Sequence, residues 1–291
     1  IKSKPVHVIN IEIEDNHREA LEGGKTVLEL ARLIVESKDL EQDMDGIIET
    51  VQKQYLRRAS VMLELSTSTW ATGITLFYRY CRYIGSSRLK ADPVPSRMAI
   101  MACIYLATKV TEEPRKQRDI INVGYKLEHP ESEFLSVNST TLGALRRSLT
   151  QCELLIMRAL GFDFNVELPH VWITSIIYGM AWWERNGVPP VDMETVDIRI
   201  KRVAQAAWRI ANKVVECGLV DIEPSRLLGA ACLAIAMRFC KEKLPAKDDN
   251  EWAEIWANAS GRQLIQIEKI IENSMDLSLV LSCAGSNMSG I

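Results

Sequence analysis

Laid on itself with a shift of 129 residues, the chain repeats. Asp92-x-x-Pro95-Ser96-Arg97 falls on Asp221-x-x-Pro224-Ser225-Arg226, followed by Ala102 on Ala231, Cys103 on Cys232 and Ala107 on Ala236. Chance matching between Ala-rich helices is the competing account, but the flanks repeat as well. An amphipathic segment precedes each copy (Ser68 to Ile84, Thr195 to Cys217) and two more follow each. A duplicated unit of this length restricts the chain to folds built from two similar halves. Within each half, SRMAIMACIYLATKV and SRLLGAACLAIAMRF are apolar nearly all round. A helix hydrophobic on every face has to be surrounded, so each is expected at the centre of its bundle. Its small side chains let neighbours approach closely.

The apolar period is helical almost throughout, apart from a short alternating stretch from Val6 to Ile13. In the first half, helices are expected at Ile47 to Leu65, Ser68 to Ile84, Asp92 to Val110, Arg118 to Lys126 and Ser139 to Leu160. Capping signals are Ser66-Thr67-Ser68-Thr69 and Asp92-Pro93-Val94-Pro95, with Gly161 as a stop. A polar insertion, Glu128 to Asn138, separates the fourth and fifth. The second half reads Pro169 to Arg185, Thr195 to Cys217, Pro224 to Cys240, Asp249 to Ala257 and Gly261 to Met275. The expected architecture is all-α, two five-helix bundles in tandem behind an N-terminal helical extension. Its divisions are residues 1–46, 47–164, 165–279 and a flexible tail, 280–291. The extension carries one amphipathic helix from Val27 and an acidic stretch from Asp39 to Asp45.

Chemistry is sparse. The four histidines, His7, His17, His129 and His170, show no metal-ligand spacing, and Gly23-Gly24-Lys25-Thr26 lacks the first glycine of a phosphate loop. No cofactor, metal or catalytic residue is therefore expected. With 35 basic and 38 acidic side chains and a net charge of −3, the composition does not suit a protein that mainly neutralises nucleic-acid phosphates. The seven cysteines form no CxxC and read as small buried hydrophobes in a reducing compartment. No apolar run reaches membrane-spanning length, so a soluble intracellular protein without a membrane partner is expected. Because Ile1 is not Met, the sequence is expected to be a piece of a longer chain. Trp70, Trp172, Trp208, Trp252 and Trp256 are read as core.

Charge at the ends of apolar helices is the one conspicuous signal. Lys109 closes the first central helix, and Glu153 lies within Gln151-Cys152-Glu153-Leu154-Leu155-Ile156-Met157. The plain account is a snorkelling lysine and a surface glutamate that pair with each other; the functional one is that the two lie side by side and offer a donor and an acceptor to another protein's backbone.

At these residues the chain resembles the cyclin family. The tandem five-helix units look like two cyclin boxes, and Ala99 to Glu113 is similar to the family's third-helix motif, which ends in Lys and then acidic residues. Arg118-Asp119-Ile120-Ile121-Asn122-Val123, the segment from Gln151 to Phe162 and Pro169-His170 are similar to transcription-type cyclins, cyclin Q (cyclin M) first and cyclin L next. The resemblance covers about residues 47–278. It implies a non-catalytic subunit that binds and activates a cyclin-dependent kinase of the transcription-related group in a heterodimer, in the nucleus and also the cytoplasm. It also implies that Lys109 and Glu153, surrounded by Glu112 and Glu113, contact the kinase, and that no nucleic acid is bound directly. The other reading kept is a general transcription-factor core that uses the same duplicated fold to bind promoter DNA. The second half has Arg238 at the place of Lys109 but no residue matching Glu153 at the equivalent place, so only the first box is expected to carry a paired contact. Glu49 stands where many cell-cycle cyclins have an arginine.

Overall fold

The structure, a computed structural model, describes residues 44–86, 96–184 and 198–274. The Val6 to Ile13 stretch, the Val27 helix, Gly23 to Thr26, the Asp92 to Pro95 cap, Cys283 and the tail lie outside these residues. Among the described residues every regular element is a helix. The first half holds α1 (Met44–Met62), α2 (Thr67–Ser86), α3 (Ser96–Val110), α4 (Gln117–Glu128) and α5 (Thr140–Ala159). The second holds α6 (Pro169–Glu184), α7 (Ile198–Glu216), α8 (Ser225–Phe239), α9 (Asp249–Trp252) and α10 (Gly261–Ser274). A 3₁₀ turn, Leu219–Asp221, precedes α8, and a π turn, Ala253–Ala257, continues α9.

Both apolar helices take the central place expected of them. α3 packs on α1, α2, α4 and α5, while α8 packs on α6, α7, the π turn and α10. Ile100, Ala102, Cys103 and Ala107 of α3, and Leu228, Ala231, Cys232 and Ala236 of α8, are fully buried. α8 passes so close to the start of α6 that a Cβ on Gly229 would lie 2.7 Å from the Trp172 Cβ and 3.0 Å from the Pro169 carbonyl oxygen. Only glycine fits that crossing without displacement.

The 129-residue shift maps the ends of α3 onto the ends of α8 and explains why Arg97 and Arg226 repeat. Each is the second residue of its central helix, lies over an aromatic ring of its bundle's first helix and ties down the end of the fourth. Arg97 stacks on Tyr55 and pairs with Glu128 at 3.7 Å. Arg226 stacks on Trp172 and donates to the Trp256 and Ile255 carbonyls. One guanidinium thereby locks three helices, combining its flat face with its fork of N–H donors.

A third arginine couples the halves. From α2, Arg79 donates through Nε to both carboxylate oxygens of Asp221 at 3.0 and 3.1 Å, and through its terminal nitrogens to the Asp163 and Asn165 carbonyls. Arg82 also pairs with Asp221, and the Tyr78 hydroxyl donates to the Glu216 carbonyl at 2.6 Å. Asp221 thus holds a place in the second half that α2 of the first reaches.

Two expectations about the core need correction. Trp252 is fully buried, but Trp208 is 38% exposed, its ring edge-on to His170 with another side open to water. Cys103, Cys152 and Cys232 are buried, whereas Cys81 is exposed. Burial pushes the Cys152 thiol up to about 12, which keeps it protonated and unreactive. The insertion is anchored by the Leu135 N–H, which donates to the Asn122 side-chain oxygen at 2.9 Å.

Candidate functional site

Lys109 and Glu153 are brought together. The last turn of α3 carries Lys109 and the outer part of α5 carries Glu153, and the Lys109 Nζ donates to Glu153 Oε1 at 2.5 Å. The partners differ in burial: the Glu153 side chain is 7% exposed and that of Lys109 45%. The Tyr105 ring lies one turn earlier on α3, with the Lys109 Nζ 4.0 Å from its centroid, so a carboxylate and an aromatic face both hold the ammonium. Val110, Leu154 and Leu155, the chain neighbours of the pair, are exposed. α5 reaches this position because Ser139 caps it, its hydroxyl accepting from the Leu142 N–H. Gln117 at the start of α4 ties to Thr150, one turn before Glu153.

Glu112 and Glu113 follow different paths. Glu112 is exposed and takes the left-handed conformation at φ 55°, which ends α3. Glu113 turns back into its own bundle. Its carboxylate accepts from the Ser66 N–H at 3.1 Å, the Ser66 hydroxyl at 2.8 Å, the Thr69 hydroxyl at 2.5 Å and Arg115 at 2.9 Å. Partial burial pushes this carboxyl up, but the hydrogen bonds from Thr69 and Ser66 and the Arg115 charge outweigh it and hold it below the usual carboxylate range. Glu113 therefore joins the end of α3 to the start of α2. The spacing of Ser66 and Thr69 signalled a helix start, but not that a glutamate 44 residues beyond Thr69 would complete it.

The second half corrects another expectation. Arg238, at the place of Lys109, does have a glutamate partner on the last helix of its bundle: Nη1 donates to Glu268 Oε2 at 2.6 Å. Glu268 is 5% exposed, as Glu153 is 6%. The pair in the first half spans 44 residues and that in the second 30, because the connection through α4 and the insertion is longer. A fixed shift of 129 therefore overshoots Glu268.

Among the described residues no group of three or more His, Cys, Asp or Glu is placed to hold a metal ion. No described helix is long and apolar enough to cross a membrane.

A cyclin-L1-like protein of Schizosaccharomyces pombe is 26% identical over 79% of this chain and 83% of its own length. Mouse cyclin-L2 is 26% identical over 72% of the chain, and Arabidopsis thaliana cyclin-T1-4 is 24% identical over 77%. The match spans only 37% and 40% of those two relatives. In the yeast RNA Pol II CTD kinase CTDK-1 complex, one chain matches 86% of this one with a TM-score of 0.60 at 18% identity, covering 74% of that chain. A chain of the CAK complex from Chaetomium thermophilum matches 88% with a TM-score of 0.53 at 16% identity, covering 72% of that chain. The duplicated all-helical fold and these relatives are those of cyclins, and the chain is similar to the cyclin family over most of its length. The similarity is cyclin L-like, the second of the two subtypes its motifs resemble.

A family model for Ssu72-like proteins matches residues 1–65, less than a quarter of the chain. The match runs through α1, which packs against α2, α3 and α4 and buries Leu56 and Ala59 in the first bundle.

Proposed function

We propose that the chain is a regulatory, non-catalytic subunit that binds and activates a cyclin-dependent kinase of the transcription-related group, and that it acts in the nucleus. Residues 47–164 and 165–279 are its two cyclin boxes. Lys109 and Glu153 are its kinase contacts, flanked by Glu112, while Glu113 braces the end of α3 from within. The observation that carries this reading is the meeting of Lys109 and Glu153 at 2.5 Å on two separate helices, with Val110, Leu154 and Leu155 exposed around them.

Lys109 has one hydrogen bond to Glu153, so its remaining N–H donors can reach carbonyls of a partner without uncovering the buried carboxylate. The exposed apolar side chains supply the contact area around that polar centre. A kinase seated there in its active arrangement gains contacts that its inactive arrangement lacks, and only that difference can shift its population. Each charge-assisted hydrogen bond contributes about 1.5–3 kcal/mol, and about 1.4 kcal/mol is tenfold in affinity.

The test is co-purification with a panel of cyclin-dependent kinases and phosphorylation of a transcription-related substrate, comparing the parent with Lys109→Ala/Glu153→Ala. Circular dichroism verifies that the variant is folded. At least a tenfold loss of kinase binding is expected. A folded variant that binds and activates as well as the parent refutes the assignment.

A further inference from the structure

Basic side chains are unevenly spread over the second half. α7 carries five of them, and its one acid, Glu216, sits at the far end, held by Lys213 and Arg57. The sequence as a whole has a net charge of −3, so this helix contrasts with the rest of the chain. The start of a helix favours acids over cations. α7 nevertheless has no acid in its first turn and places Lys201 and Arg202 near that end, both exposed. Neither pairs with a carboxylate among the described residues, whereas Arg79, Arg97, Arg115 and Arg238 are each tied into the fold.

α7 and α8 pack on each other across a short connection, which makes them antiparallel. The first turns of α7 therefore lie beside the end of α8, where exposed Lys241 and Lys243 follow. An electrostatic link agrees with this placement: burial raises the pKa of the Cys240 thiol that caps α8, and the charge of Arg202 opposes the rise. Of the acids nearby, Asp249 and Glu268 are occupied by Arg238, which leaves Glu242 against four uncommitted cations. On the face of α7 that carries Lys201, Trp208 comes seven residues later, about 10 Å along the axis, and its ring is 38% exposed.

Cations that the fold leaves unused, next to an exposed aromatic ring, suit an anionic group on a partly apolar segment. A nucleic-acid strand needs a longer basic track and successive rings to stack on. α7 offers one ring, and the net charge of −3 disfavours a long polyanion. About three residues of extended peptide span the distance from Lys201 to Trp208. A phosphoserine brings a charge of about −1.5 to −2 and three acceptor oxygens, and the activity proposed above adds that group to its substrate. We propose that Lys201, Arg202, Lys241 and Lys243, with Trp208 as an apolar seat, dock a phosphorylated segment of the kinase's own substrate. A substrate that has received its first phosphates is thereby kept on the assembly for more. The proposal rests on the reading that the chain activates a kinase.

The probe is a fluorescein-labelled peptide with two adjacent phosphoserines and a leucine three residues further on, titrated against the full chain by fluorescence anisotropy. Its serine and glutamate counterparts and a single-stranded oligouridylate RNA are titrated beside it. The phosphopeptide should bind at least tenfold tighter than each of the others, and more weakly as salt rises. Lys201→Ala/Arg202→Ala and Lys241→Ala/Lys243→Ala, verified as folded by circular dichroism, should each weaken it at least tenfold, and Trp208→Ala at least threefold. In the complex with its kinase, Lys201→Ala/Arg202→Ala should keep the rate at which a multisite substrate gains its first phosphate and slow the later ones. RNA or the glutamate peptide bound as tightly as the phosphopeptide, no preference over the serine peptide, an affinity indifferent to these substitutions, or unchanged later rates would each overturn the proposal. Lys109→Ala/Glu153→Ala should weaken kinase binding and leave the peptide affinity unchanged, so failure of this inference and failure of the kinase reading give different results.

Discussion

Replacing Lys109 by Met removes the ammonium but keeps the length of the aliphatic stem. It leaves Glu153, 7% exposed in its side chain, without the donor at 2.5 Å. Exposed ion pairs contribute about 0–1 kcal/mol, and stripping one partner from a fully buried pair costs about 3–5 kcal/mol. This pair lies between those limits, because its carboxylate is buried and its ammonium is 45% exposed over the Tyr105 ring. Lys109→Met should therefore cost about 2 kcal/mol, intermediate between the two classes. Glu153→Gln keeps an oxygen that accepts from the lysine and should cost about 1 kcal/mol, the scale of an ordinary hydrogen bond. The assay is a double-mutant cycle: urea titrations of the parent, both single variants and the double variant, followed by far-ultraviolet circular dichroism. The double variant has no stranded charge, so the coupling energy should be about 1–2 kcal/mol. Additivity to within about 0.5 kcal/mol refutes the reasoning, since independent sites add to that precision.

Four further perturbations test other parts of the molecule. Gly229→Ala puts a Cβ 2.7 Å from that of Trp172 and should cost about 1–3 kcal/mol by overpacking; Gly143→Ala, whose Cβ meets nothing within 4 Å on helix α5, should gain about 0.5–1 kcal/mol, both read as shifts in melting temperature. Burial lowers the pKa of His170, a hydrogen bond with Asn212 partly opposing it, so the unfolded chain takes up its proton first. The stability due to this group is whole above about pH 6.5 and falls as the pH drops from there through the folded value. His170→Gln should flatten that slope, and an unchanged slope between pH 7 and pH 5 by urea titration would contradict the assignment. Arg79→Ala removes the bonds to Asp221, Asp163 and Asn165 and should separate the melting of the two halves in calorimetry, whereas a single undivided transition would show that the link is dispensable.

Helix positions were legible wherever an apolar face had to be buried. α6 starts at Pro169 as read from the sequence, and α3 and α8 proved central because nothing in their composition could face water. The Lys109–Glu153 meeting was also legible, since both side chains interrupt apolar stretches. Asp221, read from the sequence as a repeat identity, acts through Arg79 of the other half, a pairing that depends on tertiary placement. Glu268 was hidden because the two copies have connections of unequal length, which defeats a constant shift. The inward turn of Glu113 was hidden because its donors come from another helix. Left-handed helix ends at Glu112, Lys241 and Asn258 carry no glycine to announce them.

Arg79 reaches from one half to the carbonyls of the connecting segment and to a carboxylate of the other half, so it works as a brace as well as a bond. Braced in this way, the two halves form a jig: the ends of α3 and α8 are held at a set spacing and angle. A substitution at Asp221 would then tilt the end of one central helix relative to the other, while every side chain at those ends is left intact.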